Sequence, residues 1–125
     1  MTKIKLCGLS RICDIEAANA LLPEYIGFVF APGSRRRVST QAALELRQGL
    51  SPGITVVGVF VDEEAGRVAD LLNQGIIDIA QLHGHEDEAY IERLRSLTDK
   101  QLIRAFRVRT EEDAVKACRD RKSVV

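Results

Sequence analysis

Cys7 is the residue whose type and position point most directly to chemistry. It ends a short apolar segment and is followed by Gly8 and by Ser10, a residue type that often begins a helix. Backbone N–H groups at a helix start favour a thiolate, and a thiolate acts as a nucleophile or as a general base. The alternative is a small buried apolar residue, as most free cysteines are. The other two cysteines, Cys13 and Cys118, fall within helical patterns and are predicted to be structural.

Three consecutive arginines, Arg35, Arg36 and Arg37, follow the second apolar segment in a loop that contains Gly33. The planar guanidinium binds a carboxylate or a phosphate through two parallel hydrogen bonds. This run therefore predicts an anionic ligand, with at most one of the three arginines in contact with it. The alternative is a solvated loop.

Gln81 and His83 end the fourth apolar segment. Residues two apart in a strand share one face, so both side chains are predicted on the same side of a sheet. There His83 would donate to a substrate or orient it, and its alternative role is a hydrogen-bonded loop histidine. Asp62 and Glu63, at the end of the third segment, are predicted to cap the helix that follows.

The elements that position these residues repeat along the chain. Six short segments rich in Val, Ile and Phe are predicted to be strands, beginning at Lys3, Tyr25, Ile54, Ile77, Gln101 and Lys122. Segments with helical spacing lie between them, so the chain alternates strand and helix and predicts a parallel sheet. Two architectures fit this alternation, a doubly wound sheet and a shortened (β/α)₈ barrel.

The helices have predicted starts and faces. N-caps are predicted at Ser10, Ser39 and Thr110. In the first helix, a buried stripe is predicted at Ile12, Ala17, Ala20 and Leu21.

Composition restricts the class of protein. The 125 residues are 46% hydrophobic, with 18 basic and 18 acidic side chains, which predicts one globular domain over residues 1–125. A formal net charge of zero gives no field for nucleic acid or an anionic membrane, and no apolar run approaches a membrane span. The cysteine spacing matches no metal motif, so no metal is expected, and reduced thiols indicate the cytoplasm.

Four segments together resemble the phosphoribosylanthranilate isomerase family. They are KIKLCGLSR at 3–11, IGFVFAPGSRRRVS at 26–39, VVGVFVDE at 56–63 and AQLHGHE at 80–86. The resemblance runs from the first strand to the last residue and implies a (β/α)₈ TIM barrel. Residues 1–125 then form a single incomplete barrel domain of about five βα units plus a sixth strand.

The resemblance also implies an activity without a metal or organic cofactor. It is the Amadori rearrangement of N-(5-phosphoribosyl)anthranilate, a phosphosugar–anthranilate substrate of tryptophan biosynthesis. In this family the cysteine of the K-I-C-G motif is the general base, which is Cys7 here, and an arginine of the second loop contacts the anthranilate, which is Arg36. Gln81 and His83 match the Q-L-H-G motif and line the pocket, whereas Arg37 stands where an aromatic residue is common.

The family's general acid is an aspartate after the sixth strand, and its phosphate loops follow strands seven and eight. Neither part is matched within residues 1–125. Three functional hypotheses follow: an isomerase represented by its base-bearing part, a catalytically inactive truncated barrel, or a different phosphosugar-handling barrel that shares the first strands. The open edges of a truncated barrel also predict self-association.

Overall fold

The five strands of the sheet lie side by side in the same order as in the chain. The structure is a computed structural model that describes residues 3–105. Its strands are β1 Lys5–Cys7, β2 Tyr25–Val29, β3 Thr55–Phe60, β4 Ile79–Leu82 and β5 Gln101–Arg104, and each pairs in parallel with the next. A doubly wound sheet reverses its strand order at a switch point. The order β1-β2-β3-β4-β5 is instead that of a barrel, which decides between the two predicted architectures.

A helix follows each of the first four strands. The helices are α1 Ile12–Leu21, α2 Thr40–Gln48, α3 Ala65–Asn73 and α4 Glu88–Leu97. The predicted cap of α2 is confirmed, because Ser39 Oγ accepts a hydrogen bond from the N–H of Ala42 at 3.1 Å. The predicted cap Thr110 and the predicted sixth strand lie outside the described residues.

The cap predictions for α1 and α3 are wrong. The N-cap of α1 is Arg11 rather than Ser10. The Ser10 and Arg11 N–H groups instead donate to Asp14 Oδ2, each at 3.0 Å. Helix α3 is capped by Glu64, not by the residues before it, since the Glu64 carboxylate accepts from the N–H groups of Gly66 and Arg67. In both cases the backbone N–H groups near the helix start are bound by a carboxylate that follows the predicted cap in the chain: Asp14 at α1 and Glu64 at α3.

The hydrophobic core lies between the sheet and the helices. Its strand residues alternate along the chain as expected for one face of a sheet, and those with an exposed fraction of 1% or less are Ile26, Phe28, Val56, Phe60, Ala80, Leu82 and Leu102. Phe30, directly after β2, is buried with them. The rings of Phe30 and Phe60 stack, with centroids 5.1 Å apart. Burial of this face fixes the register of the sheet, because a slip of one residue would reverse it.

The predicted buried stripe of α1 is wrong. Ile12 and Leu21 are 73% and 70% exposed, and the helix buries Ile15 and Ala18 instead. Apolar residues occur all round this helix, so its sequence does not distinguish the face that meets the sheet.

The sheet face opposite the helices, which we call the inner face, carries the residues of chemical interest. Cys7 pairs with Gly27, and Gly27 pairs with Val57. Lys5 is two residues before Cys7, and therefore lies on the same face. Gln81 lies two residues after Ile79, the register partner of Val57. The strands thus bring Cys7 and Gln81 to one surface.

Candidate active site

Cys7 is the last residue of β1, and the backbone turns sharply after it. Gly8 has a φ of +85°, a conformation that residues with a Cβ rarely adopt. The N–H groups of Gly8 and Leu9 both donate to the carbonyl oxygen of Gly27, at 2.9 and 3.2 Å. This turn leaves the Cys7 thiol exposed at the carboxyl end of the strand, where a parallel βα barrel places its chemistry.

The Asp14 carboxylate accepts hydrogen bonds from N–H groups at the start of α1. Its Oδ2 accepts from Ser10 and Arg11, and chiefly the Ser10 N–H holds the pKa of this carboxyl below its usual range. The sequence predicts backbone N–H groups near the thiol that favour a thiolate, but these two N–H groups at the helix start are hydrogen-bonded to Asp14 instead.

Arg36 reaches back from the loop after β2 to the end of β1. Its Nη1 donates to the carbonyl oxygen of Cys7 at 3.3 Å. A Cβ built at Gly8 would lie 2.5 to 2.6 Å from Cζ, Nη1 and Nε of Arg36, so the guanidinium occupies the space that a side chain at Gly8 would need. The loop itself is held by Ser34, whose Oγ accepts from the Arg36 N–H at 3.2 Å.

A cleft of about 400 Å³ contains both residues. We call it the Cys7 cleft, and it is lined by Leu6, Cys7, Gly8, Leu9, Ser10, Arg11, Asp14, Ala17 and Arg36. Of the three consecutive arginines, Arg36 alone is among these lining residues. The cleft therefore joins an exposed thiol to a guanidinium that can bind a carboxylate through two hydrogen bonds.

Gln81 lies on the inner face and is bound by Lys5. Lys5 Nζ donates to Gln81 Oε1, which connects β1 with β4 across the inner face of the sheet. Gly27, between them, makes room: a Cβ there would be 2.8 Å from Cys7 Sγ and 3.2 Å from Lys5 Cε. Lys5 was not among the predicted site residues, although its spacing of two from Cys7 already placed it on the same face.

His83 lies in a different cleft from Cys7. This second cleft, of about 460 Å³, is formed at the ends of β3, β4 and β5 and is lined by Val61, His83, Gly84, His85, Glu86, Asp87, Arg104 and Ala105. The structure thus brings together Cys7 with Arg36 and Gln81 with Lys5, while the exposed His83 lines the second cleft.

Glu86 organises this second cleft and was also missed by sequence reasoning. Its side chain is buried, and its carboxylate accepts from the N–H groups of Asp62 at 2.8 Å and Gly84 at 2.9 Å. Asp62, with a φ of +51°, in turn accepts from the His85 N–H, which chiefly holds the pKa of the Asp62 carboxyl below its usual range. A buried acid in a loop rich in charged residues gives no distinctive sequence signal.

Residues 3–105 contain neither a candidate metal site nor a candidate membrane span. No group of three or more His, Cys, Asp or Glu side chains there is arranged to hold a metal ion. Among the same residues, no helix has the length and apolar character needed to cross a membrane.

The sequential parallel sheet, with polar residues gathered at the carboxyl ends of its strands, defines the class of (β/α)₈-barrel enzymes. The family model described as N-(5'phosphoribosyl)anthranilate (PRA) isomerase matches residues 4–125. The chain belongs to this family.

Individual relatives agree with this assignment. The N-(5'-phosphoribosyl)anthranilate isomerase of Endomicrobium trichonymphae is 42% identical over 109 residues, which are 87% of this chain and 54% of the relative. That of Caldanaerobacter subterraneus is 41% identical over 116 residues, covering 93% of this chain and 55% of the relative. The chain therefore spans about half the length of the curated relatives it matches.

Solved structures agree as well. The phosphoribosyl anthranilate isomerase of Thermotoga maritima superposes with a TM-score of 0.86 and 30% identity, covering 98% of this chain and 59% of that one. A structure of the enzyme with reduced 1-(o-carboxyphenylamino)-1-deoxyribulose 5-phosphate superposes equally well, at a TM-score of 0.86. The ligand is bound by the protein in that solved structure.

Proposed function

We propose that this chain carries the base-bearing part of an enzyme that isomerises N-(5-phosphoribosyl)anthranilate in tryptophan biosynthesis. The observation that carries the proposal is the contact of Arg36 with the Cys7 carbonyl in one cleft at the carboxyl ends of the strands. An exposed thiol beside a carboxylate-binding guanidinium suits a substrate that joins a reacting sugar carbon to a benzoate. Family membership supplies the identity of that substrate.

In the proposed mechanism, Cys7 is the general base. A general acid protonates the ribose ring oxygen, the ring opens to a Schiff base, and the Cys7 thiolate takes the proton from C2. The resulting enolamine tautomerises to the ketone. The rearrangement is a net isomerisation in which proton transfers suffice, and it consumes no oxidant or reductant.

Arg36 binds the anthranilate carboxylate in this proposal. Arg36 lines the Cys7 cleft, and the planar fork of its guanidinium matches the two carboxylate oxygens. Gln81 contacts the sugar from the inner face, with its amide oxygen engaged by Lys5. His83 contacts the substrate from the side of the second cleft.

The general acid and the phosphate site are expected in the part of the relatives that this chain does not cover. A positioned general acid typically contributes about 10²–10⁴-fold in rate. Phosphate binding supplies remote binding energy that orients the reacting carbon. The chain of residues 1–125, a single incomplete barrel domain in this proposal, is therefore expected to need a complement for full turnover.

A chimera tests the proposal. Residues 1–125 are joined to the part of the Thermotoga maritima enzyme that this chain does not cover, and isomerisation is followed by chromatography of the anthranilate-containing sugar. The full-length chimera should be active and its Cys7→Ala variant nearly inactive, whereas Cys13→Ala, which removes an exposed thiol of α1, should keep its rate. A folded chimera without activity, or one that keeps more than a few per cent after Cys7→Ala, would refute the assignment of the base.

The inactive alternative receives no support from the relatives described above, each of which carries the name of the isomerase. Self-association of the chain through its strand edges remains a prediction, and the relative from Thermotoga maritima is described as dimeric. A molar mass of a single chain, measured by light scattering, would contradict the prediction of self-association. A cytoplasmic location fits the free thiols of Cys7 and Cys13.

A further inference from the structure

Lys5 places an ammonium group on a largely apolar part of the inner face. The register of the sheet puts Gly27, Val57 and Ile79 on this face, and the two aliphatic side chains are 0% and 5% exposed. Lys5 itself is only partly exposed. A charged group beside apolar side chains is costly unless it is paired. The ammonium group therefore needs a polar partner on the same face.

Gln81 supplies that partner. Lys5 Nζ donates to Gln81 Oε1, although the two residues are 76 positions apart in the chain. Gly27 leaves the space that this contact needs, since a Cβ there would lie 3.2 Å from Lys5 Cε. The same Cβ would lie 2.8 Å from Cys7 Sγ. The Lys5 side chain is therefore next to the thiol on the inner face.

The two ends of the Gln81 amide have different hydrogen-bonding roles. An ammonium group has only donors, so it binds the amide oxygen and not the amide nitrogen. Turning the amide over would set the Nε2 group against Lys5 Nζ, donor against donor. The contact with Lys5 thus fixes the orientation of the amide. Among residues 3–105, Nε2 has no hydrogen-bond partner, so the end that is left for a ligand is the NH2 donor.

We propose that Lys5 is a positioning residue, which holds the Gln81 amide so that Nε2 donates to an oxygen atom of the sugar. Lys5 acts through Gln81, and Gln81 makes the contact with the substrate. This inference rests on the proposed function, which brings the sugar to the inner face. It adds the chemistry that is recognised there, an oxygen that accepts a hydrogen bond.

A double-mutant cycle in the full-length chimera tests the positioning role. Lys5→Met keeps the length of the side chain and removes the ammonium group. We expect it to raise KM about fivefold with kcat unchanged, because a hydrogen bond made in the ground state and the transition state alike is weakened. Gln81→Ala should raise KM at least as much. Lys5→Met should have no further effect in the Gln81→Ala background, whereas two independent effects that multiply would overturn the proposal.

Gln81→Glu tests the donor separately. The carboxylate keeps an acceptor for Lys5 but offers no N–H group, so KM should rise as it does for Gln81→Ala. A KM like that of wild type would show that the substrate does not need the donor and would overturn the proposal. The matched control is Lys3→Met, which removes an exposed lysine two residues before Lys5 and should leave KM unchanged.

Unfolding of the 125-residue chain in urea tests the contact apart from activity. The free energies lost in Lys5→Met and Gln81→Ala should not add, because each substitution removes the same hydrogen bond. Additive losses would overturn the orientation of Gln81 by Lys5. A folded wild-type chimera without isomerase activity refutes the proposed function, and with it the sugar as the ligand of Gln81. Coupled losses in urea would then still support the orientation of the amide.

Discussion

The guanidinium of Arg36 occupies the space beside Gly8 and donates to the carbonyl oxygen of Cys7 at 3.3 Å. This contact joins the loop after β2 to the end of β1, although the two residues are 29 positions apart in the chain. Gly8 permits it in two ways, by a φ of +85° and by having no Cβ. The orientation of the arginine and the turn after the thiol therefore depend on one another.

Gly8→Ala should destabilise the protein by more than Gly33→Ala does. Both glycines have a φ of +85°, so either substitution incurs backbone strain of about 1–2 kcal/mol. A Cβ at Gly33 meets open space, whereas one at Gly8 must displace Arg36 and break its hydrogen bond to Cys7. The free energy of unfolding in urea measures the difference. Equal losses for the two variants would show that Arg36 moves aside without cost.

Gly27→Ala should slow alkylation of the Cys7 thiol. The new methyl group would lie 2.8 Å from Cys7 Sγ and 3.2 Å from Lys5 Cε, so both side chains must move and the methyl group crowds the thiol. We expect the rate with iodoacetamide, measured by mass spectrometry of peptides, to fall several-fold at Cys7. Cys13 in the same sample is the internal control and should keep its rate, since it lies in α1. An equal change at both cysteines would indicate general unfolding.

The sequence predicted the sheet better than the site. Strand positions followed from Val, Ile and Phe runs such as those at Ile26 and Val56, because burial against the helices demands them. The pairing of Cys7 with Arg36 came from the family resemblance. Sequence alone could not supply the engagement of Gln81 by Lys5 or the buried carboxylate of Glu86, because both depend on side chains that meet only after strands distant in the chain have paired.

Asp78→Ala should lower stability while leaving the cleft residues in place. At the amino end of β4, the Asp78 carboxylate accepts from Arg47 Nη2 at 2.9 and 3.0 Å and from the Val56 N–H at 2.9 Å. Loss of an acceptor that serves a buried N–H and a guanidinium costs about 1–3 kcal/mol. Arg93→Ala, which breaks a solvent-exposed pair with Glu64, should cost less than about 1 kcal/mol. Denaturant unfolding of both variants compares them, and a smaller loss for Asp78→Ala would contradict the structural role given to it.

Asp14→Ala should destabilise the protein at neutral pH but not in acid. The N–H groups of Ser10 and Arg11 hold the folded-state pKa of Asp14 below its unfolded value near 3.8. Such a carboxylate stabilises the fold above the unfolded pKa, and the contribution is lost as the pH falls through the lowered folded pKa. We expect a deficit of about 1 kcal/mol at pH 7, as for a lost helix cap. Melting temperatures should converge with those of wild type only when the pH falls below the lowered folded-state pKa, which itself lies below 3.8.

Glu16→Ala is the control for this pH dependence, because Glu16 is an exposed carboxylate on the same helix that does not cap it. Its melting temperature should follow that of wild type at every pH. A deficit of Asp14→Ala that persists unchanged in acid would mean that packing, and not the charged cap, is what the aspartate contributes.

Arg36→Ala should raise KM in the full-length chimera far more than it lowers kcat. If Arg36 binds the anthranilate carboxylate, that contact is made in the ground state and in the transition state alike, so its loss weakens binding uniformly. A charged, two-point hydrogen bond is worth about 1.5–3 kcal/mol, which corresponds to roughly 10–100-fold in KM. Arg36→Lys keeps the charge without the planar fork, so its KM should lie between that of wild type and that of Arg36→Ala.

Arg35→Ala, one position away and absent from the lining of the cleft, should leave KM unchanged. A KM that Arg36→Ala does not alter would remove this arginine from the site, and a fall in kcat alone would assign it to the transition state of proton transfer instead.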